Sequence, residues 1–340
     1  MTTAPATSTP QGYQRWDGEL GKGRWTWLVI VTTGIRQALK NNRTRTLVLT
    51  SLGLIPGMCG LFYVFSLMET LLLTTPDDQS MKSLSEFVRV FLGVDVSGAA
   101  QLGDYREPLW RCAFFLVIKV QMFWVLIIVA QVASGLISRD IKARALPVYF
   151  AKPITPFTYM LGKWAVVACF IALVTLVPNL LSLTFGTMMT GGLDTWGQTL
   201  DLGCDLLLSG LLICVVGGAI VLALSSMSSD HRYVTVGWLA VTLLLTFGQK
   251  LLNEALPGEA TTGWLGCISL RSDILILTDW LFDMRRTWEA SGLPPEAFSK
   301  ALLRPVGPFN ATAVLAGWTA GSILLCYRRV VRFSRSAANV

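Results

Sequence analysis

The sequence predicts an all-α polytopic membrane protein with six transmembrane helices, and three observations carry this prediction. Hydrophobic residues make up 53% of the 340 residues and charged residues only 14%, which is more apolar surface than a soluble domain could bury. Six apolar stretches are long enough to cross a hydrocarbon core about 30 Å thick. The basic residues are also concentrated on one side of the resulting topology, as in membrane proteins with a defined orientation.

Two elements precede the first span. Residues 1–23 are polar, rich in Thr, Pro and Gly, and lack the pattern of a cleaved signal peptide, so we expect a disordered cytosolic tail. Residues 24–45 predict an interfacial helix, in which one face is apolar, the opposite face is basic and two tryptophans act as anchors. The apolar face is Leu28, Val31, Ile35 and Leu39, the basic face is Arg36, Lys40 and Arg43, and the anchors are Trp25 and Trp27.

The six-span domain is predicted over residues 46–330. Its spans are expected at Leu47–Leu72, Cys112–Ser138, Tyr159–Met189, Leu206–Met227, Tyr233–Leu252 and Ala311–Tyr327. Two long loops, 74–111 and 253–310, lie on the same side of the bundle. The first has apolar residues at helical spacing, at Leu84, Phe87, Val88 and Phe91.

The second long loop contains the apolar run Trp264–Phe282, which Arg271, Asp273 and Asp279 interrupt. Charged side chains are costly in the middle of a bilayer, so the run predicts a re-entrant or interfacial helix on the outer side. The alternative counts this run as a seventh span. That alternative would move the basic C-terminal residues outside, against the charge rule.

Charge gives the orientation. With both termini on one side, that side carries seventeen basic and four acidic residues, whereas the other side carries ten basic and seventeen acidic ones. The positive-inside rule therefore predicts that both termini lie in the cytoplasm and that residues 331–340 form a basic cytosolic tail. We expect the protein to lie in the plasma (inner) membrane. The net charge of +7 is thus a topology signal and does not indicate a nucleic-acid partner.

Metal and redox chemistry find little support in the composition. The chain has one histidine, and its seven cysteines lie mostly inside apolar runs without paired spacing. We therefore expect buried, apolar cysteines, no metal site and no catalytic residue.

The connection between the second and third predicted spans is more elaborate than a simple turn. Apolar residues from Ile137 onward alternate with charged residues at roughly helical spacing, which predicts a basic amphipathic helix over 139–152. Pro147 is expected to break or kink this helix, and Pro153 and Pro156 to force an extended turn. A helix held against anionic lipid by its basic residues is the simpler interpretation.

With this loop, the chain resembles the membrane subunit of type-2 ABC transporters. Four features match that family in order: Asp140, the basic-apolar helix that continues through Phe150, Pro153-Ile154-Thr155, and Gly162-Lys163. The motif covers about 27 residues, while the resemblance in topology covers the whole chain. It implies a connecting helix before span one, a coupling helix between spans two and three, and short re-entrant helices before span six.

What the resemblance implies is a permease subunit that works with a separate cytosolic ATPase, which would bind ATP and Mg, and with a second permease subunit. No Gly-x-x-x-x-Gly-Lys-Ser/Thr phosphate loop occurs in the sequence, so this chain would need no cofactor of its own. The ATPase would contact the coupling helix, and the residues expected to take part are Arg139, Asp140, Lys142, Arg144, Leu146, Tyr149 and Phe150.

Three polar residues inside the predicted spans are candidates for a translocation path. Lys119 would contact substrate or a gate, snorkel outward, or pair with an acid such as Glu69 or Asp205. Gln121 would either line the path or have no role beyond a hydrogen bond to a neighbouring helix. Asn179 follows Pro178, which predicts a kink in the third span.

The leading functional hypothesis is thus ATP-driven transport, with export as the direction that the resemblance implies and with the substrate open. The alternatives are a stand-alone secondary transporter or channel, a permease-like subunit that transmits mechanical work to an outer partner, and an integral membrane enzyme. The last would need a nucleophile and base at membrane depth, whereas the single histidine lies in a loop and carboxylates inside the predicted spans are nearly absent.

Overall fold

The structure is a computed structural model that describes residues 26–74, 82, 86, 106–146, 149, 154–189, 194–255, 264–285 and 307–338. Within these ranges the chain is helical and forms no strand, and six helices are long and apolar enough to cross a membrane. The predicted all-α fold with six spans is therefore confirmed, and the chain is a multi-pass membrane protein. The predicted tail at 1–23 and the apolar residues Leu84, Phe87, Val88 and Phe91 lie outside the described residues.

The helices run in chain order as α1 Thr26–Leu39, α2 Asn42–Leu52, α3 Leu54–Thr74, α4 Arg106–Val132, α5 Ser138–Lys142, α6 Pro156–Val174, α7 Leu176–Met189, α8 Asp194–Met227, α9 His231–Ala255, α10 Leu270–Leu281 and α11 Pro308–Ala338. The spans are Asn42–Val64 (one), Trp110–Lys142 (two), Pro156–Met189 (three), Leu200–Met227 (four), His231–Ala255 (five) and Pro308–Phe333 (six). Span two runs from the Arg111 end of the bundle to the opposite, Asp140 end.

All six spans begin two to six residues earlier than hydropathy predicts, and local capping explains two of these starts. Span one begins at Asn42 because the side chain of Asn41 accepts a hydrogen bond from the backbone of Arg43, as a helix N-cap does. Span three begins at Pro156, where the Thr155 side chain caps the backbone of Thr158 and proline occupies the first turn. Apolar runs mark the membrane-depth part of a helix, whereas caps mark where the helix starts.

The predicted interfacial helix over 24–45 is shorter in the structure, because α1 ends at Leu39 and residues 42–45 already belong to α2. Helix α1 packs closely along the start of span three. A Cβ added at Gly162 would lie 3.0 Å from the Ile30 side chain, and one added at Gly34 would lie 2.7 Å from Val166. The glycines therefore let the two helices approach closely.

Span three is interrupted where proline predicts a kink. Helix α6 ends at Val174 and α7 begins at Leu176, with Thr175 between them. Pro178 lacks the N–H that would bond to Val174, and its ring would clash with that carbonyl in a regular helix. The predicted effect of Pro178 on span three is consistent with this break.

Span four is the central helix of the bundle. Inside the protein, 72% of its apolar window is buried, against 17–22% for spans one, five and six. Helix α8 packs against α6, α7, α10 and α11, so the most apolar span is surrounded by neighbours. The poorly covered spans one, five and six present apolar side chains outward, which suits lipid or another membrane helix.

Helix α10 occupies the apolar run of the second long loop. Its 12 residues span about 18 Å at 1.5 Å per residue, which is too short to cross a bilayer and argues against a seventh span. Asp273 is fully buried, and burial raises the pKa of Asp279 to about 7. At the other terminus, α11 continues as a helix through Ala338, into the predicted basic tail at 331–340.

Candidate functional site

The connection between spans two and three is the principal candidate site, and its start is fixed to span four. Both Ile137 N and Ser138 N donate to the Ser225 hydroxyl, at 3.1 and 3.2 Å. That hydroxyl donates in turn to the carbonyl of Ser134 at 3.1 Å. The beginning of α5 is thus held by a side chain of the central helix.

The predicted helix over 139–152 is interrupted at Arg144, whose φ of 50° lies in the left-handed region. Arg144 N donates to the carbonyl of Ile141 at 3.1 Å and Ala145 N to that of Asp140 at 2.9 Å. This pair of bonds is the Schellman end of a helix. The sequence places the break at Pro147, because left-handed positions are usually Gly or Asn and an arginine gives no such signal.

Asp140 is the anchor of this segment. Its Oδ2 atom lies 2.7 Å from Lys163 Nζ and accepts a hydrogen bond of 2.6 Å from the Tyr159 hydroxyl. The Asp140 and Lys163 side chains are only 17% and 11% exposed, and Tyr159 is fully buried. The Lys163 ammonium also lies 5.4 Å from the centre of the Tyr159 ring. A short helix at the end of span two is therefore tied to the start of span three by a shielded ion pair.

The predicted coupling residues divide between two environments. Arg139, Lys142 and Arg144 are exposed, whereas Asp140 and Leu146 face the protein. Tyr149 is half-buried, with its ring centre 5.6 Å from that of Tyr159, and Phe150 lies outside the described residues. Burial and then the Asp140 charge raise the pKa of Tyr149, so its hydroxyl stays neutral. The exposed surface of this segment is therefore basic.

Two of the three predicted path residues, Gln121 and Asn179, lie together in the structure, and Lys119 lies apart from them. Gln121 and Asn179 form a reciprocal amide pair between spans two and three, with two hydrogen bonds of 3.0 Å. Both are buried, at 0% and 3% exposure. Lys119 lies at the Arg111 end of this pair, and its backbone carbonyl accepts a bond from Arg271 of α10 at 3.1 Å. The interhelical role expected of Gln121 is confirmed.

Replacing Gln121 by leucine is expected to reduce the free energy of unfolding by about 1–2 kcal/mol, because the buried Asn179 amide then loses its partner. The double variant Q121L/N179L removes both amides and should recover most of that loss. Thermal unfolding in detergent measures both effects. If the double variant is as unstable as the single one, the amide pair does not account for the stability of this contact.

Sequence reasoning missed a charge cluster at the Arg111 end. Arg111, predicted as the last residue of a loop, lies inside span two and is 7% exposed. Its guanidinium donates to Glu107 at 3.0 Å, to Asp205 of span four at 2.9 Å and to the Phe282 carbonyl at 2.7 Å. One side chain thus joins spans two and four to the segment after α10. Asp205, proposed as a partner for Lys119, pairs with Arg111 instead.

Metal and disulfide chemistry find no site in the described part of the chain. All seven cysteines are free thiols, and no group of three or more His, Cys, Asp or Glu residues among the described residues could hold a metal. His231 lies at the start of span five, 3.4 Å from Asp230.

No protein-family model matches this sequence, and no curated protein matches it either. The function is therefore inferred from the geometry at the two ends of the bundle.

Proposed function

We propose that this chain is the permease subunit of a type-2 ABC transporter, moving a substrate across the membrane with ATP hydrolysed by a separate chain. The observation that supports this proposal best is the short basic helix α5 (Ser138–Lys142). The face of α5 that is turned toward the helix bundle is anchored by the Asp140–Lys163 pair, and the cationic side chains of the helix are exposed. An anchored helix with a free polar face can receive a partner and pass its movement on.

The anchors define which parts of the bundle would move with α5. Ser225 links its start to span four, and Lys163 and Tyr159 link Asp140 to span three, while α5 itself continues span two. A push on α5 would therefore act on three spans at once. A segment held only by lipid contacts would move without displacing the three spans.

The proposed assembly places the Asp140 end in the cytoplasm of a plasma (inner) membrane, where basic residues predominate. The partner ATPase would bind ATP and Mg and contact Arg139, Lys142 and Arg144. A second permease subunit would cover part of the apolar surface of the peripheral spans, and lipid would cover the rest. Export is the proposed direction, and α1 and α10 would be the connecting and re-entrant helices.

Charge reversal on the exposed face of α5 tests this proposal. Lys142→Glu and Arg144→Glu should each lower the amount of ATPase that copurifies with the chain at least about tenfold, since charge pairs at interfaces contribute on the order of 1.5 kcal/mol or more. Thermal stability should stay close to wild type, because both side chains are exposed. Purification from the native membrane in mild detergent, followed by mass spectrometry, measures the retained partner.

Arg328→Glu is the matched control, because Arg328 is also an exposed arginine at the Asp140 end but lies on span six. It should retain the ATPase. A wild-type chain that purifies alone and stays folded would overturn the proposal and favour a stand-alone transporter or channel. A stoichiometric partner on the opposite side of the membrane would instead favour a subunit that transmits mechanical work.

A further inference from the structure

A second feature of the Asp140 end is a polar cavity of about 390 Å³ between α1, the start of span one, and the facing ends of spans two and three. This volume is many times the roughly 30 Å³ that one water molecule occupies in the liquid. Exposed residues, Val29 and Arg139, form part of its wall, so it is open to its surroundings. Of the three basic residues proposed to contact the ATPase, Arg139 also lines this cavity, whereas Lys142 and Arg144 do not.

The polar wall of the cavity is rich in hydrogen-bond donors. Arg139 contributes a guanidinium, Lys163 an ammonium that is already paired with Asp140, and Gln37, Asn41 and Gln131 side-chain amides. The acidic residue in this wall is Asp140, whose carboxylate is already engaged by Lys163 and Tyr159. The ionisable groups of the wall therefore leave one net positive charge, that of Arg139, which suits an anion.

Arg139 is the group best placed to bind that anion. Its side chain folds back over Gly135, so that a Cβ added at Gly135 would lie 2.6 Å from Arg139 Nε and 2.9 Å from Cζ. Both residues line the cavity. Within the described part of the chain, Arg139 has no ion pair and no side-chain hydrogen bond. A guanidinium with its donors uncommitted is a strong site for a phosphate oxygen pair.

The surroundings of the cavity suit an anion that carries an apolar tail. The described residues of the two segments that border it, within 26–45 and 136–163, include eight basic residues and one acid, Asp140. Val29, Ile30, Leu136 and Ile154 form an apolar part of the wall. Helix α1, which forms one side, exposes Leu28 and Val29 to the surroundings. Juxtamembrane basic clusters of this kind attract anionic lipid headgroups.

We propose that this cavity binds the phosphate group of an anionic phosphate ester, with Arg139 as its principal ligand and an anionic phospholipid of the adjacent leaflet as its source. The apolar wall would hold the glycerol and the first methylenes of the acyl chains. A bound headgroup would bridge α1 to the base of α5, and so stabilise the N-terminal helix against spans two and three.

Native mass spectrometry of the full chain tests this proposal with dioleoylphosphatidylglycerol and the zwitterionic dioleoylphosphatidylcholine as probes. One phosphatidylglycerol should be retained in preference to phosphatidylcholine. Arg139→Gln should weaken its retention about tenfold, the usual range for losing a charge-assisted hydrogen bond. Gly135→Ala should have a similar effect while keeping the charge, because the added Cβ displaces the guanidinium.

Lys142→Gln is the matched control, since it removes a neighbouring positive charge from α5 that does not line the cavity. It should retain phosphatidylglycerol as wild type does. Equal binding of the two lipids, equal losses in R139Q and K142Q, or normal binding by G135A would each overturn the site. Each variant is first checked for wild-type thermal stability, and Arg139→Lys, which keeps a charge, provides a second variant if Arg139→Gln is unstable.

A competition arm distinguishes the two sources of phosphate. Glycerol 3-phosphate in large molar excess should not displace the bound lipid if the apolar wall contributes to binding. If it displaces the lipid from wild type and fails to bind R139Q, the phosphate site stands and its ligand is a water-soluble ester. Neither result depends on the ATPase, so failure of the proposed transport function would leave this test intact.

Discussion

Replacing Asp140 by asparagine is expected to cost about 3 kcal/mol of unfolding free energy, at the lower end of the range for breaking a buried ion pair by removing one partner. The remaining Lys163 ammonium is only 11% exposed and would lose the carboxylate that now lies 2.7 Å away. The lower value applies because both side chains keep some contact with solvent. Unfolding can be followed with a thiol-reactive dye, since Cys112, Cys214 and Cys326 are buried.

The double variant D140N/K163M is the informative partner of this experiment. It removes both charges together, while the introduced asparagine can still accept the hydrogen bond from Tyr159 and the introduced methionine keeps apolar contacts. Removing both members of a buried pair is often nearly neutral, so we expect most of the loss to be recovered. If the double variant is as unstable as D140N, the ion pair is not what stabilises this end of the bundle.

The same double variant separates anchoring from partner binding. The interpretation of Asp140 from sequence alone placed it in contact with the ATPase, whereas the structure turns its carboxylate toward Lys163 and Tyr159. A destabilised D140N chain would lose its partner for a trivial reason. A stable D140N/K163M chain that still binds the ATPase would assign the contact to Arg139, Lys142 and Arg144, whereas loss of binding in this stable chain would place Asp140 in the contact itself.

The number and order of the spans were predictable because each span depends on a long apolar run. A run of about 20 apolar residues is most stable as a helix that crosses the membrane. The exact starts of the spans were not predictable, because those depend on single caps such as Asn41 and Thr155. The length of α5 was not predictable either. It depends on Arg144 adopting a left-handed conformation, for which its residue type carries no signal.

The candidate site was partly predictable, because a basic helix between two apolar runs is visible in the sequence. Which of its residues face inward was less clear, since the helix makes barely more than one turn and periodicity needs several. The pairing of Asp140 with Lys163 joins residues 23 apart, and the pairing of Arg111 with Asp205 joins residues 94 apart. Contacts at such separations follow from how the spans pack, and a single sequence does not encode them locally.

Arg111→Met is the second substitution with a large expected effect. Arg111 is 7% exposed and serves three acceptors, so its loss leaves the Asp205 carboxylate and the Phe282 carbonyl without their donor. We expect a loss of about 3 kcal/mol in unfolding free energy, as for other shielded pairs broken on one side. The region after α10 should also loosen, because Arg111 ties Phe282 to spans two and four.

Cys267 reports on that loosening, since it is buried just before α10 and its thiol should react faster with a maleimide in R111M than in wild type. Glu107→Gln is the control, because Glu107 is 54% exposed and its pair with Arg111 should contribute less than about 1 kcal/mol. Arg111→Lys should fall between them, since one ammonium cannot reproduce the planar set of donors that reaches all three acceptors. If R111M were as stable as E107Q and left Cys267 protected, α10 would be held by its packing against α4, α8, α9 and α11, and the charge cluster would have no structural role.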